Sequence, residues 1–466
     1  MEKAAAIDAA SCYRAVAARD PRFDGRFFTA VKTTGIFCRP VCPAPTPRAA
    51  NCEFYPSAAA ALGAGYRPCL RCRPEVSPES PAWRGTAATV AKALRLIGEG
   101  ALDGESLDGL SARLGVGSRH LRRLFERHLG ASPAAVAQAR RILFAKRLLT
   151  DTTLPVTDVA FAAGFRSLRR FNDAFRRAYH RQPREVRKLD APGSQATIGI
   201  RLPVRLPYDW RGVIGFLGPR AIPGVESVTE GSYRRTIRIR GSCGAIEVQP
   251  RLGESCLVVH IETAGVTILR EVADRTARLF DTAADPEAIA DCLQDLDPAP
   301  GVRVPGAWDP FEMAVRAVLG QQVSVAAATT LAGRMVERFG EDTAFEPGRL
   351  FPPPEVLAAA DLTAIGLTRT RAATVTALAQ AVAGGRLVFD RISSLADAVG
   401  QLTAIPGIGA WTAQYVAMRA LNEPDAFPST DLALQKAAGV NDLEPVSAKW
   451  RPWRAYAALT LWSKLA

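Results

Sequence analysis

The sequence predicts a multidomain protein, mainly α with α+β parts, and three observations carry that expectation. Its 466 residues, 48% of them hydrophobic, are enough for three or four domains that each bury a core. Helical periodicity fills 86–188 and most of 301–466, whereas strand-like runs of Val and Ile are confined to the stretch between them. Within the first 80 residues, four of the nine cysteines stand as two close pairs, the mark of a small metal-held domain.

Charge divides the chain. Residues 1–190 carry 32 Lys and Arg against 17 Asp and Glu, and the remainder carries 27 against 29, so the formal +13 lies wholly in the first part. A polyanion partner is expected for that part; the second must grip DNA, if it does, through backbone amides and local patches. No apolar run approaches the ~18 residues of a membrane span, and Met1 opens no signal peptide. The expectation is a cytoplasmic, nucleoid-associated protein with no membrane partner.

The first domain, 1–80, holds Cys38, Cys42, Cys69 and Cys72 as C-x3-C and C-x2-C pairs with 26 residues between them. That spacing suits one tetrahedral Zn2+ and, taken alone, suits a structural zinc knuckle well. Lys32, Arg39, Arg67, Arg71 and Arg73 crowd the ligands. The stretches TTGIFCRPVCPA and RPCLRCRPE resemble the N-terminal domain of the Ada family. The resemblance implies that Cys38 takes a methyl group irreversibly from a DNA methylphosphotriester, with Cys42, Cys69 and Cys72 as companion ligands. Zinc keeps the thiols deprotonated, and four thiolates leave excess negative charge that keeps sulfur nucleophilic. Methylation removes one negative charge, lowers repulsion from DNA and so could act as a damage-sensing switch. Cys12, Cys52, Cys243, Cys256 and Cys292 follow no ligand spacing and read as small apolar groups.

Pro78 and Pro81 mark a linker, and 86–188 then repeats itself at an offset of fifty: Leu121 with Phe171, Phe125 with Phe175, Arg127 with Arg177, Pro133 with Pro183. Each copy has a turn glycine (Gly115, Gly164) and a basic helix starting near Ser118 or Ser167, as helix-turn-helix modules do. Leu121, Leu124, Phe125, Phe171 and Phe175 are expected core. Arg119, Arg122, Arg123, Arg166, Arg169 and Arg170 are candidates for DNA contact, chiefly to phosphate. The run VTDVAFAAGFRSLRRFNDAFRRAYHRQP resembles the AraC-type double helix-turn-helix domain. This implies promoter DNA as a partner, and RNA polymerase too if the protein activates.

After the linker LDAPGSQAT, the domain 195–300 shows IGIRLPVRLP, RRTIRIRG, AIEVQPR and CLVVHIET as half-buried strands, then helical patterns over Thr267–Phe280 and Pro286–Leu296. No catalytic cluster stands out, and His260 reads as structural. This mixed α/β support domain resembles the N-terminal domain of AlkA-type 3-methyladenine glycosylases.

The last domain, 301–466, is read as all-α. In LTAIPGIGAWTAQYVAMRALNEPDAFPSTD, Pro406-Gly407-Ile408-Gly409 makes a turn before a helix that resumes at Ala410. Two glycines one residue apart allow a hairpin whose N–H groups face a phosphate; PGIG alone also suits an ordinary helix–helix turn. A lone carboxylate, Asp431, follows about twenty residues on, after a proline-containing loop. The stretch resembles the helix-hairpin-helix DNA glycosylases, and WDPFEMAVRAVLGQQVSVAAA matches their AlkA-type members. The resemblance implies Asp431 as the catalytic carboxylate. It implies Trp411, Tyr415, Trp462 and Gln321 at the base pocket, and Gly407, Gly409 and Gln322 against DNA. It also implies a Na+ or K+ on the carbonyls of Thr403, Ile405 and Gly407. Gln322 falls at the intercalating-wedge position, where the related pattern has an apolar residue. Aromatic faces attract a cationic alkylated purine, a good leaving group once flipped out of the stack.

Trp411 stands where related lyases carry a nucleophilic lysine, and no lysine lies between it and Asp431. A monofunctional hydrolase of alkylated bases is therefore expected. With no cysteine beyond Cys292, no iron–sulfur cluster is expected there. The chain reads as an Ada-type sensor and regulator fused to an AlkA-type glycosylase in the place of an alkylguanine transferase. The alternative is a regulator whose glycosylase half is only a scaffold.

Overall fold

The computed structural model describes residues 8–20, 23–76, 86–187, 198–392 and 394–465. Pro78, Pro81 and the linker 189–197 lie outside them. The chain divides into two compact units, Met1–Arg205 with Gly265–Asp274, and Leu206–Ala264 with Arg275–Ala466. Among the described residues no helix is long and apolar enough to cross a membrane.

In the first unit a small sheet carries the cysteines. Cys52–Tyr55, Phe28–Val31, Ile36–Cys38 and Arg67–Pro68 lie in that order, the first two pairings antiparallel and the last parallel. Phe28 and Phe37 pack edge to face at 5.7 Å beneath it, both buried. The helices that follow are two helix-turn-helix copies joined by the long helix Pro133–Asp151, begun by Ser132 as cap and Pro133. The turn glycines have φ of +68° at Gly115 and +86° at Gly164, a region costly for any side chain. Leu121, Leu124, Phe125, Phe171 and Phe175 are buried as their periodicity requires.

The sheet segment and the helix-turn-helix copies form a single unit because polar groups lock them together. Ser57 donates to the Leu129 carbonyl at 2.7 Å, Arg73 pairs with Asp151 at 2.7 Å, and buried Lys146 pairs with buried Glu75. Removing either member of that last pair would strand a charge away from water.

In the second unit the strands Glu226–Val228, Tyr233–Ile239, Ser242–Arg251 and Cys256–Thr263 form an antiparallel meander. The strand expected at CLVVHIET has those very bounds, and helices Leu269–Leu279 and Pro286–Cys292 fall in the stretches expected to be helical. Strand Glu226–Val228 and helix Trp210–Leu217 were not foreseen; the first is three residues long, too short for alternation to register. Beyond residue 301 the described residues are almost wholly helical, with Glu341–Asp342 and Arg349–Leu350 as their one strand pair.

Candidate functional site

The four sulfurs of Cys38, Cys42, Cys69 and Cys72 lie within 4.8 Å of one another. Zinc–sulfur bonds of ~2.3 Å in a tetrahedron need sulfurs ~3.8 Å apart, so the cluster fits the metal with little movement. Strand Ile36–Cys38 presents Cys38, and backbone N–H groups already point at the sulfurs: Arg39 to Cys72 at 3.3 Å and Arg71 to Cys69 at 3.4 Å. The Arg39 side chain clamps buried Asp24 through Nε at 2.9 and 3.1 Å and donates from Nη1 to the Cys72 carbonyl at 3.2 Å. So crowded, the thiols compete for protons. The contact with Cys42 pushes Cys38 up, and the same contact pulls Cys42 down to about 7. A divalent cation relieves that competition. Cys69 and Cys72 are buried, whereas Cys38 and Cys42 keep some exposure.

Of the DNA-contact candidates, Arg119, Arg122 and Arg123 lie on or beside the exposed face of helix Ser118–Leu129. Arg166, Arg169 and Arg170 do the same around helix Leu168–Tyr179. All six are exposed.

The second unit builds a different kind of site. Helix Leu395–Thr403 ends, Pro406-Gly407-Ile408-Gly409 turns, and helix Ala410–Ala420 begins with Gly409 as its cap. Gly407 has φ +87°, and a Cβ there would fall 2.0 Å from the Thr374 hydroxyl. A Cβ on Gly409 would meet nothing within 4 Å, so its backbone is open to a ligand. Helix Ala410–Ala420 carries Trp411 and Tyr415 one turn apart, stacked at 5.3 Å with their planes 11° apart. Trp462, from the last helix, meets Tyr415 edgewise at 6.2 Å.

Asp431 closes this aromatic corner. It caps helix Leu432–Ala438, accepting the Leu434 N–H at 2.9 Å through Oδ1. The Trp411 indole N–H donates to Oδ2 at 2.7 Å, and the Trp462 indole donates to Oδ1 at 3.3 Å. Thus the carboxylate is oriented wholly by neutral donors, and all four residues are partly exposed.

Gln321 lies against the hairpin and the helix after it: its amide donates to the Gly407 carbonyl and to the Thr412 hydroxyl, both at 3.0 Å. The next residue, Gln322, is exposed with φ +54°. Sequence reasoning missed Arg419, whose guanidinium donates to the Tyr415 hydroxyl at 2.9 Å and lies 4.6 Å from the Phe216 ring. Burial would raise the Tyr415 phenol, but the charges of Arg419, Arg220 and Arg316 outweigh it and hold it below its usual value. The four-residue spacing from Tyr415 is visible in the sequence, but the burial that makes Arg419 matter is not.

Sites of these two kinds in one chain define a DNA-repair regulator: a zinc-binding and helix-turn-helix unit together with a helix-hairpin-helix glycosylase unit. Comparison with known proteins agrees. Residues 11–75 match the metal binding domain of Ada, 110–189 a helix-turn-helix domain and 199–309 the AlkA N-terminal domain. Residues 315–449 match the HhH-GPD superfamily of base excision DNA repair proteins. A probable bifunctional transcriptional activator/DNA repair enzyme AlkA of Mycobacterium tuberculosis is 44% identical over 97% of this chain and 96% of its own length. DNA-3-methyladenine glycosylase 2 of Escherichia coli is 36% identical over 55% of this chain and 94% of its own. The bifunctional transcriptional activator/DNA repair enzyme Ada of Escherichia coli is 39% identical over 30% and 38%. The chain belongs to the family of the bifunctional transcriptional activator/DNA repair enzyme AlkA.

Proposed function

We propose that the protein hydrolyses the N-glycosidic bond of alkylated bases such as 3-methyladenine and accepts methyl groups from DNA methylphosphotriesters on Cys38. The observation that carries the first activity is Asp431, held by two indole N–H groups at the edge of the Trp411–Tyr415 stack. A cationic base flipped against those rings gains cation–π attraction of ~1–2 kcal/mol per well-placed ring. As the bond from C1′ to the base nitrogen breaks, positive charge grows on the sugar. Asp431 stabilises that charge and directs a water to C1′; the bond electrons leave with the base and the water's proton goes to solvent. Trp411 offers no amine, which supports a monofunctional enzyme.

The partly exposed Cys38 supports its role as acceptor, since buried Cys69 and Cys72 offer a phosphotriester less access. Bound zinc would keep the thiol ionised. The Cys38 sulfur then attacks the methyl carbon, an S–C bond forms, the C–O bond breaks, and a phosphodiester anion leaves. Loss of one negative charge beside DNA tightens promoter binding by the six exposed arginines, which supports an activator that recruits RNA polymerase in the bacterial cytoplasm. The domains on this reading are 1–80, 86–188, 195–300 and 301–466. The hairpin carbonyls of Thr403, Ile405 and Gly407 would hold Na+ or K+. Ile405 and Gly407 each already accept one hydrogen bond, from Ile408 N–H at 3.1 Å and Gln321 at 3.0 Å, and keep a second lone pair.

Release of free base from methylated duplex DNA, with the strand left intact, is the expected result. A chain that binds DNA but releases no base would establish the scaffold alternative.

A further inference from the structure

Two segments that must act together on DNA are the hairpin 406–409 and the loop 320–324, which joins helix Pro310–Leu319 to helix Val325–Phe339. The loop displays Gln322, exposed and in a left-handed conformation (φ +54°) that a residue with a Cβ adopts unwillingly. Such a conformation persists only where its surroundings over-determine it. Those surroundings can be named. The preceding residue, Gln321, sends its side-chain amide to the Gly407 carbonyl and the buried Thr412 hydroxyl, both at 3.0 Å. Its own backbone carbonyl receives Arg371 Nη2 at 2.6 Å. Arg371 stands on helix Arg369–Ala383, and one turn along that helix buried Thr374 lies against Gly407. One helix therefore braces both segments.

We infer that Gln321 and Arg371 are positioning residues that latch the wedge loop to the phosphate-gripping hairpin. Neither is placed to touch the flipped base through the bonds described. Their work is to hold Gln322 at a set height above the hairpin, so that gripping the backbone and entering the stack occur in one register. A polar wedge gains little from the apolar interior of the stack, so its orientation must come from the protein rather than from burial. This inference rests on Gln322 being the wedge.

The test uses the full chain at saturating concentration and a duplex carrying a tetrahydrofuran abasic analogue opposite 2-aminopurine, whose fluorescence rises when it unstacks. The wild-type chain and the Gln322→Ala, Gln321→Glu, Arg371→Ala and Arg371→Lys variants are compared, with thermal midpoints. Gln321→Glu keeps the shape and removes both donors. Gln321→Glu and Arg371→Ala are expected to shift the equilibrium away from insertion by about tenfold, the effect of one well-made hydrogen bond. Their midpoints should be near wild type, and Arg371→Lys should recover most of the signal. A full rise in both variants, alongside a loss in Gln322→Ala, overturns the latch and leaves the wedge standing. A full rise in Gln322→Ala, or none in wild type, overturns the wedge and the latch with it. A loss in Arg371→Ala that lysine does not recover marks general packing and also overturns the latch. Base release by the wild-type chain, measured alongside, tests the glycosylase reading separately.

Discussion

The zinc knuckle and the aromatic pocket solve opposite electrostatic problems. In the first, negative sulfurs are gathered into one cluster, and charges lock the surrounding frame: Arg39 on Asp24, Arg73 on Asp151, Lys146 on Glu75. In the second, a single carboxylate is held by two indoles and one backbone N–H, with no cation among its hydrogen-bond partners. On the proposed mechanism, a cation beside Asp431 would compete with the positive charge that develops on the sugar as the cationic base leaves neutral. A nucleophile meant to attack a methyl carbon has no such conflict, because its target is neutral. The difference teaches that cations are admitted to the frame around one centre and kept, among the described residues, from the hydrogen-bond partners of the other.

The sharpest break would come at Cys38. Exposure of the full chain to methylated DNA should add one methyl group, and peptide mapping should place it all on Cys38. Finding it on Cys42, the other partly exposed thiol, would move the acceptor without changing the charge argument; finding none would leave a structural knuckle. Next in size is Asp431→Asn. The amide keeps an oxygen for the indole donors but loses the charge, so single-turnover excision should fall on the order of 100-fold or more. Near wild-type excision would mean that the aromatic faces alone carry the chemistry. On the charged side of the comparison, Lys146→Met removes one of the two cations that pair with the buried Glu75 carboxylate among the described residues and leaves Arg73. The first unit should then lose on the order of 3 kcal/mol in a denaturant titration. A loss below ~1 kcal/mol would show that the frame of the knuckle is held by packing instead of ion pairs.

Much of this was legible in the sequence wherever chemistry is local. The cysteine pairs and the PGIG turn followed by Asp431 each sit within a short window, and the helix-turn-helix copies repeat a pattern at a fixed offset of fifty. What escaped was chemistry made by residues far apart in the chain. Glu75 and Lys146 are 71 residues apart, and Arg371 reaches Gln321 across 50. A lone arginine or lysine in a helix carries no mark of whether it will meet solvent or a buried carboxylate. Gln321 was expected at the base pocket from the resemblance to AlkA-type glycosylases. Its amide reaches the Gly407 carbonyl of the hairpin, 86 residues away, a contact that no local spacing announces.

The mildest test concerns a buried carboxylate in the second unit that, like Asp431, relies on neutral donors. Asp281 accepts the Tyr456 hydroxyl at 2.7 Å and the Val304 N–H at 3.1 Å. Burial raises its pKa to about 6; the Arg303 charge and these two hydrogen bonds oppose the rise without cancelling it. The folded state therefore holds this proton more tightly than the unfolded chain. The stability this lends is fully present below the unfolded value of 3.8 and is lost as pH rises through about 6. At pH 7 the ionised group is a liability of at most ~3 kcal/mol, and nearer ~1–2 kcal/mol because the residue is partly exposed. Asp281→Asn removes the charge, keeps an acceptor oxygen, and suits the φ of +47°, since asparagine tolerates the left-handed region well. The variant should unfold later than wild type at pH 7 and together with it at pH 4. Equal midpoints at both pH values would mean that Tyr456 and Val304 stabilise the ionised carboxylate as fully as water does. These two donors, with the Arg303 charge, would then suffice to hold the ionised Asp281 in place of water.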